Sequence, residues 1–276
     1  MRTYLKGIMS ALVIVIAVAC AQAVSASHLT GSGCSVSKEG YLTELAKEYE
    51  RRTGVKVFIR GGGSLVGVAE LKTGKVDFAA SCSNRLADDQ DGIEFIQVAW
   101  DALVFIVHKS NGVDNISHNE IKDVYSGKIT DWKMLNGREM PIKLFVSRPG
   151  MRGLSGIEAS FREFVLRDQD VSVAPNAIFN ASAGIIEQMV EKTPDGFGIT
   201  GFSSARKRDV KMLKVNGVPP TRETIAKGKY PYRRPLFIVV KKNPDREVKK
   251  FIDFILSKEG QHFIGSQGVV SLLDVK

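Results

Sequence analysis

The sequence is poor in the residues that build metal and redox centres. Four histidines and three cysteines are spread over 276 residues. His28, His108, His118 and His262 share no ligand-like spacing with a cysteine, so no metal centre or other cofactor is expected. Proline and glycine gather into no linker or low-complexity tract, which argues against a disordered or fibrous chain. Long hydrophobic runs are scarce as well. The uncharged stretch Ile8 to Ala19 falls short of the about 20 apolar residues that cross a bilayer. No later stretch is long enough for a transmembrane helix. Acidic charge is the minority sign: 39 Lys and Arg stand against 30 Asp and Glu, a formal +9. The positive residues are scattered among acids, with no basic tract interleaved by aromatics, so nucleic acid is not an expected partner. A modest positive field suits an anion.

What the first residues do contain points to a compartment. Arg2 and Lys6 precede the apolar run, and Val24-Ser25-Ala26 fits the small-x-small pattern read by signal peptidase. Residues 1–26 therefore read as a secretory signal peptide, and the protein as exported to the periplasm or cell envelope. Cys20, directly after Ala17-Val18-Ala19, leaves lipid attachment as the alternative to simple cleavage. About 250 residues then remain, room for one large domain or two ordinary ones. They keep two cysteines, Cys34 and Cys82. In an oxidising compartment such a pair is a candidate disulfide, and two separate buried thiols are the alternative.

Hydrophobic periodicity then alternates between strand and helix. Tyr41, Leu42, Leu45, Ala46 and Tyr49 repeat at helical spacing until Gly54, and Val55 to Ile59 alternates as a strand. A helix carrying Val66, Ala69 and Leu71 follows, then a short strand over Val76 to Ala80 and a continuous apolar strand over Ala102 to Val107. The last is of the type buried on both faces. Beyond Lys109, Ser117 caps a helix closed by Ser126-Gly127. Lys143 to Ser147, Gly196 to Phe202 and Leu236 to Val240 read as strands; Ser155 to Leu166, Ala183 to Val190 and Val248 to Leu256 read as helices. This βαβ order predicts an α/β fold with a mostly parallel sheet flanked by helices.

Three loops share one physical signature, glycine and serine just before a helix: Gly31-Ser32-Gly33-Cys34-Ser35, Gly61-Gly62-Gly63-Ser64 and Gly153-Leu154-Ser155-Gly156. Such a loop offers unpaired backbone N–H groups and the positive end of a helix dipole to an anion. Serine is also an ordinary structural helix cap, so the repetition is the informative feature. Arg148, at the end of the strand over Lys143 to Ser147, is a candidate to grip an oxyanion through two hydrogen bonds, with Arg152 as its rival.

These stretches, together with Gly74-Lys75-Val76-Asp77-Phe78, the run from Ile121 to Trp132, Gly196 to Phe202, Tyr230 to Leu236 and Phe254 to Gln261, resemble the phosphate-binding family of periplasmic substrate-binding proteins. Those proteins are the receptors of phosphate ABC importers. The resemblance runs over nearly the whole chain after the signal peptide. It implies the type II periplasmic-binding-protein fold: mixed sheets flanked by helices in two lobes, with a ligand cleft between them. Lobe I would hold residues 27–108 and 232–276, and lobe II residues 109–231. It further implies a monomer that captures inorganic phosphate and delivers it to a membrane ABC permease. Carried onto this sequence, Cys34, Ser35, Gly63 and Ser64 would serve from the first lobe, and Arg148 or Arg152 with the Ser155-Gly156-Ile157 turn from the second.

Two departures stand out. The family's serine-glycine-threonine turn reads Ser155-Gly156-Ile157 here, one hydroxyl short. Where phosphate receptors place a carboxylate after a short strand, this chain has Ala80-Ser81-Cys82-Ser83-Asn84, with no acid before Asp88. Ser83 and Asn84 are therefore included as candidate ligand residues, and another oxyanion such as sulfate or molybdate is an alternative cargo. Cys34 and Cys82 both fall on the proposed ligand loops of the first lobe, where a disulfide would brace them. Catalysis is not expected, because no histidine lies close to Ser35, Ser64 or Cys82 in sequence, and Asp88, Asp89 and Asp91 read as a solvated loop. A binding fold with a degraded pocket, acting as an adhesin or a sensor partner, is the other reading.

Overall fold

The computed structural model describes residues 28–84, 91–148, 155–168 and 171–275. The signal-peptide segment with Cys20, the carboxylates Asp88 and Asp89, and Arg152 lie outside the described residues. The elements run β1 (His28–Gly33), α1 (Ser35–Ser37), a π turn (Lys38–Leu42), α2 (Thr43–Thr53), β2 (Lys56–Gly61), α3 (Ser64–Lys72), β3 (Phe78–Ser81) and β4 (Ile93–His108). They continue through β5 (Asn115–Ile116), α4 (His118–Ser126), β6 (Lys143–Ser147), α5 (Gly156–Phe161) with its π extension Arg162–Leu166, β7 (Ile178–Asn180), α6 (Ala183–Lys192) and β8 (Gly196–Gly201). The last part holds α7 (Phe202–Ala205), β9 (Val210–Met212), β10 (Lys214–Val215), α8 (Arg222–Ala226), β11 (Arg233–Lys241), α9 (Arg246–Leu256) and α10 (Lys258–Ser266).

Among the described residues one large sheet has the order β2-β1-β3-β11-β4-β8-β6-β7, with β9 also paired to β4. Its two halves are parallel inside: β1 pairs β2 and β3, and β6 pairs β7 and β8. The seam is antiparallel. β4 pairs β11 over Ile93 to Ala102 and then β8 over Leu103 to Val107, so one strand serves both halves. The sheet is therefore mixed rather than mostly parallel, because two long strands cross between the halves. Ala102 to Val107 is fully buried, as its unbroken apolar run predicts; each such Val, Leu, Ile or Phe contributes about 1.5–3 kcal/mol. The strand extends nine residues further back than the apolar run, to Ile93, where exposed Glu94 and buried Asp101 interrupt the pattern.

Local signals hold up well. Ser117 and Glu120 form a reciprocal capping box on α4, and Gly127 ends that helix in the left-handed region. Gly54 does the same for α2. One stretch departs from expectation. Gly31, Ser32 and Gly33 belong to strand β1 and are not a loop. Their small size has a packing cause: a Cβ on Gly31 would lie 2.3 Å from the Phe78 ring. At Gly33 (φ 133°) it would meet the Ala80 carbonyl at 2.2 Å.

Candidate functional site

The carboxyl ends of the parallel strands decide where the site lies. In the first half, Gly33 of β1 pairs with Gly61 of β2 and Ala80 of β3, so the three strands end side by side. In the second half, Ser147 of β6 pairs with Asn180 of β7. The chain leaves four of these ends by turning into helices, and their first residues line one cavity: Cys34, Ser35 and Val36; Gly63 and Ser64; Ser155, Gly156 and Ile157; Ser182 and Ala183. Cys82, Ser147 and Ala181 complete the lining. The cavity offers ≈ 20 Å³ for the centre of a water-sized sphere, against about 10–15 Å³ for a single water and 300 Å³ or more for a drug-sized ligand. In this geometry it suits a compact ion, not a sugar or an amino acid.

The chemistry of the lining is that of hydrogen-bond donors. The leading N–H groups of a helix have no intrahelical partner and carry on the order of half a positive charge. Five serines add hydroxyls. Ser155 is partly engaged as the α5 cap, its Oγ accepting from the Glu158 N–H at 3.1 Å. Ser64 Oγ accepts from the Cys82 N–H at 3.2 Å. Ser147 is different: it is 3% exposed, and its Oγ has no hydrogen-bond partner among the described residues. A buried hydroxyl without a partner costs about 1–3 kcal/mol, so an acceptor entering the cavity would relieve this one.

The two halves touch at Gly156. A Cβ there would lie 2.5 Å from Ser64 Oγ and 2.6 Å from Cys82 Sγ, so only glycine lets α5 of the second half seat against α3 and the end of β3. Ser160, one turn along, reinforces the contact: its Oγ lies 2.9 Å from the Cys82 carbonyl and 2.8 Å from that of Gly156. Behind it sits Arg234, wholly buried. Its Nη1 donates to Ser160 Oγ at 3.1 Å, and its Nε and Nη2 donate to Asp101 Oδ2 at 3.2 and 2.9 Å. Asp101 Oδ1 in turn accepts from the Ser203 N–H and hydroxyl, each at 2.8 Å. The guanidinium is thus spent on the Asp101 pair, and no Asp, Glu, Lys, Arg or His lines the cavity among the described residues.

The structure brings Cys34, Ser35, Gly63, Ser64, Ser155, Gly156 and Ile157 together, as the sequence suggested. Three expectations need correction. Arg148 does not line the cavity: its side chain is exposed, and its backbone N–H donates to the Asn180 carbonyl at 2.7 Å. It follows a strand whose Ser147 already fills the inward place, and successive residues of an extended chain point opposite ways. Ser83 and Asn84 line an adjoining cavity of ≈ 190 Å³ with Ser160 and Glu163, because the chain turns away after Cys82. Cys34 and Cys82 are free buried thiols rather than a disulfide. They are neighbours in the cavity lining, and each acts on the other's ionisation. That contact pulls the Cys82 thiol below its ordinary pKa, against burial and with help from Arg234 and Ser64. Burial, reinforced by Cys82, pushes Cys34 well up.

Sequence reasoning missed Ser147, the Ser182-Ala183 turn and the Arg234–Asp101 pair. The turn carried a usable signal, since Ser182-Ala183-Gly184 opens a helix with small residues like the other three.

Comparison with known proteins fits this geometry. A family model described as a PBP superfamily domain matches residues 20–259. The phosphate-binding protein PstS of Bacillus subtilis is 28% identical over 258 residues, covering 91% of this chain and 83% of that protein. PstS of Borreliella burgdorferi is 28% identical over 251 residues, covering 87% and 88%. Among solved structures, a Clostridium perfringens protein assigned as a phosphate ABC transporter substrate-binding protein, with bound phosphate, superposes with a TM-score of 0.77. It is 27% identical, with 89% of this chain and 100% of that one covered. An ABC-type phosphate transport receptor from Vibrio cholerae gives 0.66 at 28% identity, covering 89% and 100%. The chain belongs to the PBP (periplasmic-binding-protein) superfamily.

Proposed function

We propose that this protein captures phosphate, or a closely related tetrahedral oxyanion, between its two halves and delivers it to a membrane ABC permease. The observation that carries the reading is the convergence of four helix N-termini from both halves on one small cavity. An oxyanion stripped of water needs donors on every side, and a lining of N–H and O–H groups replaces its hydration shell. Ser147 is the natural donor to it from the floor of the second half. The relatives named above as phosphate-binding proteins and transport receptors support the choice of ion and of importer.

The ligand set is Cys34, Ser35, Gly63, Ser64, Ser147, Ser155, Gly156, Ile157, Ser182 and Ala183, and no step of bond chemistry is assigned to it. Residues 27–108 with 232–276 form one lobe and residues 109–231 the other, hinged on the strands that cross between them. The segment 1–26 directs export, and the protein works as a monomer outside the cytoplasmic membrane. No helix among the described residues is long and apolar enough to cross a membrane.

Among the described residues no carboxylate lines the cavity to accept a proton from the ligand, so sulfate is the competitor to measure. Calorimetric titration of the protein, stripped of bound ions, with phosphate, arsenate, sulfate and molybdate tests the reading. Saturable 1:1 binding of phosphate is expected. Absence of heat with all four ions would remove it.

A further inference from the structure

We propose that Cys34 and Cys82 form a redox-sensitive modification site inside the ligand cavity, and that joining them as a disulfide tightens capture of the anion. The inference rests on the oxyanion reading above and goes beyond it.

The placement comes from the strand register. Cys34 follows Gly33, which pairs with Ala80, and its N–H donates to the Ala80 carbonyl at 2.8 Å. Cys82 lies two residues beyond Ala80, just past the end of that neighbouring strand. Paired strands run about 4.8 Å apart, so the two thiols leave adjacent strand ends, and a disulfide spans about 4.4–6.8 Å between α-carbons. Each thiol acts on the other's ionisation, as close neighbours do. Both line the ligand cavity, and Cys82 also borders the adjoining ≈ 190 Å³ cavity, which gives a small oxidant a second approach.

Hydrogen peroxide is the oxidant the site can admit. The Cys82 thiolate attacks one peroxide oxygen, the O–O bond breaks, and the departing hydroxide takes up a proton to become water. The Cys34 thiol then attacks the Cys82 sulfenic acid, losing its proton to the displaced hydroxide. Two thiols and one peroxide become one disulfide and two waters.

Two effects on binding point the same way. An ionised Cys82 places negative charge in the cavity, where it repels the incoming anion, and the disulfide removes that charge. The groups acting on Cys82 are Cys34 beside it, the Ser64 hydroxyl from α3, Arg234 from β11 and Asp101 from β4; Glu163 stands across the adjoining cavity. The bond also fixes the first turn of one donor helix, capped by Cys34, to the residue whose sulfur sits 3.6 Å from Ser64 Oγ. Ordering two donor loops before the ligand arrives lowers the cost of binding.

The test compares protein kept reduced by a phosphine with protein treated with peroxide, each titrated with inorganic phosphate at pH 8 by calorimetry. Mass spectrometry of proteolytic peptides should show Cys34 and Cys82 cross-linked, with a loss of about 2 Da. The oxidised form should bind phosphate roughly three- to ten-fold tighter. Cys82→Ser protein should bind equally under both treatments. The inference fails if the two thiols survive peroxide uncoupled, or if both forms of the native protein bind with equal affinity. Absence of phosphate binding in either form would instead retire the oxyanion reading, and this inference with it.

Discussion

Gly156→Ala is the sharpest perturbation the geometry offers. The new Cβ would lie 2.5 Å from Ser64 Oγ and 2.6 Å from Cys82 Sγ, where ordinary contact begins at 3.4 Å. The two halves must therefore part by close to 0.9 Å at this point, or Ser64 must give up its bond to the Cys82 N–H. A donor at about 2.9 Å from a ligand oxygen would retreat to about 3.8 Å, beyond hydrogen-bonding reach. Each hydrogen bond to a charged group contributes about 1.5–3 kcal/mol. Losing one on this estimate weakens phosphate binding roughly 10- to 150-fold, at about 1.4 kcal/mol per decade. Fold stability should fall as well, by about 1–3 kcal/mol, because the new Cβ overpacks a buried contact at the first residue of α5. The assay pairs calorimetric titration with thermal unfolding in phosphate-free buffer. A phosphate affinity within twofold of the native value, at unchanged stability, would refute the idea that this contact closes the site.

Three further substitutions separate the roles assigned above. Ser147→Ala removes a buried hydroxyl with no internal partner, so phosphate affinity should fall about tenfold or more while ligand-free stability is kept or slightly raised; calorimetry and thermal unfolding read the two. Asp101→Asn strips the Arg234 guanidinium of its buried counter-charge and should cost about 3–5 kcal/mol in urea unfolding. Arg148→Ala alters only an exposed side chain, and calorimetry should return a phosphate affinity within twofold of the native protein.

Much of this architecture can be read from local chemistry. Ser155-Gly156 announces its helix start through a capping hydroxyl, and Gly63-Ser64 through a glycine at the cap, each a mark within a few residues. Ser147 leaves none: nothing near it distinguishes a strand-end serine facing a cavity from one facing water, and its neighbours are the end of β7 and the start of α6, elsewhere in the chain. The choice between neighbouring arginines is equally remote from composition. Arg233 and Arg234 stand side by side in the sequence, yet β-strand alternation sends Arg233 over the Trp100 ring, 4.6 Å from its centroid, and Arg234 into the core. Which of the two turns inward depends on the register of β11 against β4. Gly31 and Gly33 mislead for a related reason. Their smallness accommodates Phe78 and Ala80 across the sheet, and local reading takes it for a loop.

The most direct test is a crystal structure of the protein grown with phosphate. The account predicts one phosphate in the cavity, its oxygens within hydrogen-bond distance of N–H groups at the starts of all four helices and of Ser147 Oγ. A phosphate held by only one half, or bound elsewhere with Ser147 still unpartnered, would contradict it.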